Sequence, residues 1–274
     1  MDAVVRVWTI DPAVRSAIVT FLRHDSLTFA GAPTMILSRR LLLAAALVAV
    51  CLPGFSFAQD KPNDAIVPAP RDGKLMERHE SFNRRVKEGN ADLIFIGDSI
   101  TAAWEGPGKN VWAEFYGKRN AVNLGIGGDR TQHVLWRLDH GNIDGIKPKL
   151  AVLMIGTNNS GMNTSEQIAA GVKAIVEKLR TKLPETKVLI LAIFPRGADK
   201  EVANRKVNEG ANEIIKSLAD GNMVHYLDIG PKFLEADGTL SKEVMPDLLH
   251  LNEKSYRTWA ESTEPKIKEL LGEK

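Results

Sequence analysis

The sequence predicts an α/β domain of three layers, α/β/α, built on a doubly wound, five-stranded parallel sheet. Three observations predict it: five short apolar runs each stop at a turn former, amphipathic stretches with helical spacing separate them, and chemically capable residues collect just after the runs. Runs this short and this uniformly apolar read as strands buried on both faces. Alternation of strand and helix joins such strands by crossovers, and an open sheet of this kind takes its ligands beyond the carboxyl ends of the strands.

The elements follow in order. The strands are expected at 93–96, stopped by Gly97; 121–124, stopped by Gly125; 151–155, stopped by Gly156; 188–194, stopped by Pro195; and 224–227, stopped by Asp228. Helices are expected at 75–88, 131–138, 165–182, 200–218 and 254–271. The third has Ile168, Val172, Ile175, Val176 and Leu179 at helical spacing along one face.

Composition narrows the class of protein. Of 274 residues, 44 % are hydrophobic and 26 % charged, which excludes disordered, collagen-like and polytopic membrane chains. Lys plus Arg number 36 against 34 Asp plus Glu, a net charge of +2 without a basic block, so nucleic acid is not expected as a partner. Cys51 is the only cysteine, so neither an intramolecular disulfide nor a site of several thiolates can form.

Residues 35–58 read as a signal peptide. Arg39 and Arg40 precede an uncharged apolar stretch, 41–52, and Pro53, Gly54, Ser56 and Ala58 supply a small-residue cleavage site, with the cut expected after Ala58. A membrane anchor would want about 20 apolar residues, more than this stretch provides without its proline and glycine. A lipoprotein anchor at Cys51 would place Val50 where a small residue is usual. Met35 is therefore expected as the true start, residues 1–34 as an upstream extension from a mis-assigned start, 59–70 as an extended proline-containing linker, and 71–274 as the folded domain. The mature protein is expected to be exported, periplasmic or secreted, and to meet a membrane only through an uncleaved leader.

The candidate site residues lie after the strands. Ser99 follows the first one, where its hydroxyl can project into the crevice or cap a helix. It is not the G-x-S-x-G elbow, since Thr101 occupies the last position. Residues 125–130 lack the third glycine of a dinucleotide loop, because Arg130 stands there, and Asp129 would repel a pyrophosphate. The loop's glycines, Gly128 among them, can instead present backbone N–H groups to a ligand. Asn158 ends the third strand as a carboxamide donor or as part of an Asx turn.

Asp247 and His250, three apart before the final helix, can approach a nucleophile from one side of a turn; they can also be a cap and a surface histidine, or two metal ligands. A metal site needs a further ligand at sensible spacing, and none is visible, so no metal is expected. Asp98 and Arg196 are candidate substrate contacts, and His133 and Arg137 candidate supports of the Gly128 loop. Trp104, Trp112 and Trp136 read first as packing rather than as a sugar platform, and His79, His140 and His225 as structural.

Each motif alone is weak, but Ser99, Gly128, Asn158 and the Asp247/His250 pair together resemble the four sequence blocks of the SGNH hydrolases, also called GDSL-type esterases, from about residue 93 to 251. Residues 123–138, 156–159 and 195–197 further resemble the catalytic (beta/gamma) subunits of the platelet-activating factor acetylhydrolases. Those enzymes are cytosolic, so the leader is a departure that points away from their phospholipid substrate.

The resemblance implies a flavodoxin-like fold and a serine esterase that needs no cofactor. Ser99 would attack the ester carbonyl while His250 removes its proton, a task suited to a side chain that titrates near neutral pH. Asp247 would orient the imidazole and stabilise its charge. The backbone N–H groups of Ser99 and Gly128 and the amide of Asn158 would form the oxyanion hole. The expected substrate is a short-chain, most simply acetyl, ester of a small molecule or glycan, with an acetylated carbohydrate preferred. The alternatives are a short-chain phospholipid or thioester hydrolase and a non-catalytic carbohydrate-binding module; the assembly state is open, a homodimer included.

Overall fold

The structure is a computed structural model that describes residues 62–274. The expected upstream extension, the leader and Cys51 lie outside the described residues. The elements are α1 (Gly73–Lys87), β1 (Leu93–Gly97), α2 (Ser99–Ala102), α3 (Lys109–Phe115), β2 (Ala121–Gly125), α4 (Thr131–Asp139), β3 (Leu150–Met154), α5 (Ser165–Lys182), β4 (Lys187–Leu191), α6 (Ala203–Ile215), β5 (Val224–Leu227) and α7 (Glu253–Leu271).

The five strands form one parallel sheet in the order β2-β1-β3-β4-β5. The chain runs outward from β1 to β2 and then returns past β1 to β3, so a crevice opens at the carboxyl ends of these strands. Alternate side chains go to opposite faces, as the strand period requires. Ile94, Ile96, Leu153 and Ile190 pack with Phe82, Leu135, Ile175 and Ala211 from α1, α4, α5 and α6. Leu93, Phe95, Val152 and Leu189 pack on the other face with Trp104, Tyr116, Tyr256 and Trp259. Each fully buried side chain of this size contributes about 1.5–3 kcal/mol, which makes the two cores the main source of stability. Trp104 lies inside the second core, against Tyr256 and Trp259 at 4.5 and 5.0 Å between ring centres.

The linker expected over 59–70 needs correction from Asn63 onward. Asp64–Ile66 forms a 3-10 turn capped by the Asn63 side chain, which accepts from Ala65 N at 3.1 Å. Ala65 is fully buried, and its carbonyl accepts from Thr131 Oγ1 at 2.8 Å. Ala69 N donates to Gln132 O at 3.1 Å. Proline favours an extended backbone, yet an extended backbone can still lie across a helix start and bond to it. The segment is thus a strap on α4 and α5, and the folded domain begins before Arg71. Among the described residues no helix is long and apolar enough to cross a membrane.

Candidate active site

The turn after β1 is built by Asp98 rather than by Ser99. Asp98 is the N-cap of α2, and its Oδ1 accepts from Ile100 N at 3.0 Å. Ser99 is therefore the first helical residue, and its hydroxyl is not used as the cap. Gly125 lets α2 rest on the end of β2, since a Cβ there would lie 2.3 Å from Ala102 N. Gly97 pairs with Gly125 on one side and Met154 on the other, so the ends of β1, β2 and β3 are level.

Across 151 residues of sequence, His250 Nε2 lies 2.8 Å from Ser99 Oγ. Its Nδ1 lies 2.6 Å from Asp247 Oδ2. A carboxylate only accepts, so Nδ1 carries the hydrogen and Nε2 is left to accept from the serine hydroxyl. Asp247 Oδ1 also accepts the backbone N–H of Leu249 at 3.0 Å and of His250 at 2.7 Å. Burial pulls the Asp247 carboxyl upward, but the hydrogen bonds and charge of His250 outweigh it and hold the group below the usual carboxylate range. The turn is closed by Leu248 in the left-handed region, φ 60°, a conformation that costs about 1–3 kcal/mol and persists only when its surroundings impose it. Gly197 N donates to Leu248 O, and Leu248 N to Met245 O, both at 2.8 Å.

Gly128 lies on the neighbouring loop at φ +73°, a conformation glycine adopts without penalty, and its carbonyl accepts from Arg71 Nη1 at 2.8 Å. Asn158 Nδ2 donates to Asp129 O at 2.9 Å, which fixes the carboxamide and leaves its second N–H outside that bond. Arg137 holds the loop from below: it donates to Asp129 Oδ2 at 2.7 Å, Asn142 Oδ1 at 2.9 Å and Gly97 O at 3.1 Å. The expectation that Arg137 and His133 support this loop matches these contacts, with His133 Nδ1 accepting from Arg130 N at 3.0 Å.

The two expected substrate contacts, Asp98 and Arg196, each hold a turn that carries the site. Asp98 is only 1 % exposed and faces the turn it caps, because the N–H groups of α2 need an acceptor there. Desolvation pushes its carboxyl up to about 7, against the opposing hydrogen bond from Ile100. Arg196 donates from Nη1 to Thr157 O at 2.9 Å and to Thr157 Oγ1 at 3.2 Å, so it braces the turn that carries Asn158. Sequence reading missed Arg71, which arrives on the strap, and Asn159. The latter is fully buried, accepts from Thr131 N at 3.1 Å and donates to Asn163 Oδ1 at 3.0 Å. The Asn-Asn pair in the turn after β3 was the available signal. Among the described residues no group of three or more His, Cys, Asp or Glu is placed to hold a metal ion.

A sheet with this strand order and these residues at its carboxyl edge defines a class, and the comparisons agree: residues 95–258 match the model of the GDSL-like lipase/acylhydrolase family, and the chain belongs to that family. It is an ester hydrolase. The chain is 38 % identical over 200 residues to platelet-activating factor acetylhydrolase IB subunit alpha1 of Homo sapiens, covering 71 % of this chain and 85 % of that one. It is 36 % identical over 222 residues to subunit alpha2 of Rattus norvegicus, covering 79 % and 95 %. In fold it is similar to a carbohydrate acetylesterase family member from Sinorhizobium meliloti, with TM-score 0.52 and 16 % identity over 66 % of this chain and 99 % of that one. It is also similar to an acetylxylan esterase from Geobacillus stearothermophilus, with TM-score 0.54 and 17 % identity over 68 % and 96 %.

Proposed function

We propose that the protein is an exported serine esterase that removes short acyl groups, acetyl above all, from acetylated carbohydrate. The observation that carries the catalytic part is the chain of contacts from Ser99 Oγ to His250 Nε2 at 2.8 Å and from His250 Nδ1 to Asp247 Oδ2 at 2.6 Å. His250 takes the hydroxyl proton as Oγ attacks the carbonyl carbon, and Asp247 stabilises the imidazolium that results. The carbonyl oxygen becomes an oxyanion that receives the N–H groups of Ser99 and Gly128 and the free amide N–H of Asn158. His250 then returns the proton to the leaving alcohol. A water, deprotonated by the same ring, attacks the acyl carbon and releases the acid and the free serine.

Acetyl as the acyl group is supported by relatives and fold neighbours whose names include acetylhydrolase, acetylesterase and acetylxylan esterase. Carbohydrate as the alcohol is supported by the polar cavity that adjoins Gly128, lined by Arg71, Asp72, Arg130 and His133. Export rests on the leader-like segment 35–58 and is checked by N-terminal sequencing of the protein recovered outside the cytoplasm of its native host.

The test is acetate release from acetylated xylan, with p-nitrophenyl acetate as a generic ester, by wild type and Ser99→Ala. The variant is expected to stay folded and to lose turnover by several orders of magnitude; full activity in it refutes the serine mechanism. A second reading, a short-chain phospholipid hydrolase, is favoured by the 38 % identity to the acetylhydrolase subunit. Faster release from a 2-acetyl phospholipid than from any acetylated glycan would establish it.

A further inference from the structure

A cavity of about 570 Å³, open to solvent, is lined by Pro70, Arg71, Asp72, Gly128, Arg130 and His133. Gly128 lines this cavity and is also assigned to the proposed oxyanion hole; Ser99, Asn158 and His250 are not among the lining residues. The volume is within the range of small-molecule sites, about 300–1,000 Å³. Hydrolysis as described above uses neither Arg71 nor Arg130, yet both guanidiniums border this space, each with its side chain 24 % exposed. Arg71 makes its hydrogen bonds through Nη1 alone, to Gly128 O at 2.8 Å and His133 Nδ1 at 3.2 Å. Arg130 uses Nη1 on the Met162 sulfur at 3.1 Å.

Each guanidinium has a carboxylate within 4 Å, but neither is hydrogen-bonded to it. Asp129 is held by Arg137 at 2.7 Å and lies 3.8 Å from Arg71. Asp64 lies 3.9 Å from Arg130 and accepts from Asn163 Nδ2 at 2.6 Å. His133 registers the resulting field: desolvation first, then Arg71, Arg130 and Arg137, push its pKa down to about 4, and the opposing pull of Asp64 is weaker than each. The one further carboxylate in the lining is Asp72.

We infer that this cavity holds the alcohol half of the ester, and that the alcohol carries a carboxylate near the acetylated hydroxyl, as in an O-acetylated uronic acid. The inference rests on the serine mechanism proposed above. A guanidinium fork matches a carboxylate in plane and spacing. Asp72 sets the limit on charge: it can accept from a sugar hydroxyl but repels a phosphate monoester, which carries about −1.5 to −2 at neutral pH.

The experiment measures kcat/KM for acetylated methyl glucuronoside, acetylated methyl glucoside and an acetylated sugar phosphate. Wild type is expected to prefer the uronoside over the glucoside by about tenfold or more, the value of a charge-assisted hydrogen bond. Arg130→Gln should cut that ratio about tenfold, chiefly through KM, and added salt should lower it in wild type. Asp72→Asn should move the ratio the other way. Equal kcat/KM on uronoside and glucoside, or a ratio untouched by either variant, overturns the inference, and a preference for the phosphate overturns the carboxylate assignment. Ser99→Ala separates the two readings: activity retained in that variant defeats the mechanism, whereas a dead variant with no acid preference in wild type defeats only the subsite.

Discussion

Arg137 Nε donates to Asp129 Oδ2 across 2.7 Å, with the two side chains 2 % and 0 % exposed. The same guanidinium reaches Gly97 O at 3.1 Å, so one side chain ties the end of β1 to the loop that carries Gly128. Removing one partner of such a pair leaves a buried charge uncompensated. Arg137→Met is therefore expected to lose about 3–5 kcal/mol in urea unfolding at neutral pH, and adding Asp129→Leu to recover a large part. A loss below about 1 kcal/mol would show that the carboxylate relaxes into water and that the loop does not depend on the pair.

Gly128 stands where the backbone, rather than lack of space, disfavours a side chain. Its φ of +73° costs an L-residue about 1–2 kcal/mol, while a Cβ would meet the Arg71 guanidinium at an ordinary contact distance of 3.5 Å. Gly128→Ala should lower kcat on p-nitrophenyl acetate more than its modest loss of stability implies. Asn158→Ala should lower kcat by about 10² to 10³ with little change in melting temperature. Unchanged kcat in both variants removes this loop and carboxamide from the oxyanion hole.

Asp98 makes stability depend on pH in an unusual direction. Its carboxyl titrates at 3.8 in an unperturbed chain and at about 7 when folded. Between those values the folded state holds the extra proton, so this group's contribution falls as pH rises from about 4 to 7 and is level above that. Asp98→Asn keeps an acceptor for Ile100 N without the charge. Its melting temperature relative to wild type should climb steadily across that window, and a difference that stays constant with pH would falsify the assignment.

His133 acts in the opposite sense. Desolvation and then the charges of Arg71, Arg130 and Arg137 bring it from 6.5 to about 4, so its contribution is present above 6.5 and is lost as pH falls through 4. Proton NMR of the ring should give a midpoint well below 5, and His133→Gln, which retains an acceptor for Arg130 N, should flatten the acid limb of stability. A midpoint near 6.5 would mean that the ring is not in the field described.

Much of the fold was legible in the sequence because it is written locally. The helix expected at 165–182 is α5 at the same bounds: its apolar positions recur at helical spacing, and Thr164 and Gln167 form a capping box at its start. The strand expected at 188–194 stops at Leu191 instead. Residues 192–194 are buried, but β5 ends at Leu227, opposite Leu191, and leaves them no ladder to extend. Apolar character reports burial, and strand assignment also needs a neighbour. Helix α3 has no periodic signature over its short length; Val111 and Trp112 hold it against the aromatic core, which is a tertiary effect.

By itself the sequence determined where the strands stop and which residue types stand at their carboxyl ends, because turn chemistry and side-chain periodicity are properties of adjacent residues. It therefore placed Ser99, Gly128 and Asn158 just after strands of one sheet, and Asp247 and His250 between the last strand and the final helix. Only the tertiary structure decided that His250 reaches Ser99 across 151 residues, that Asp98 rather than Ser99 takes the cap, and that the strap delivers Arg71 to the Gly128 carbonyl. Those relationships depend on strand order and on which backbone groups burial leaves without water, and neither is encoded within any one stretch of chain.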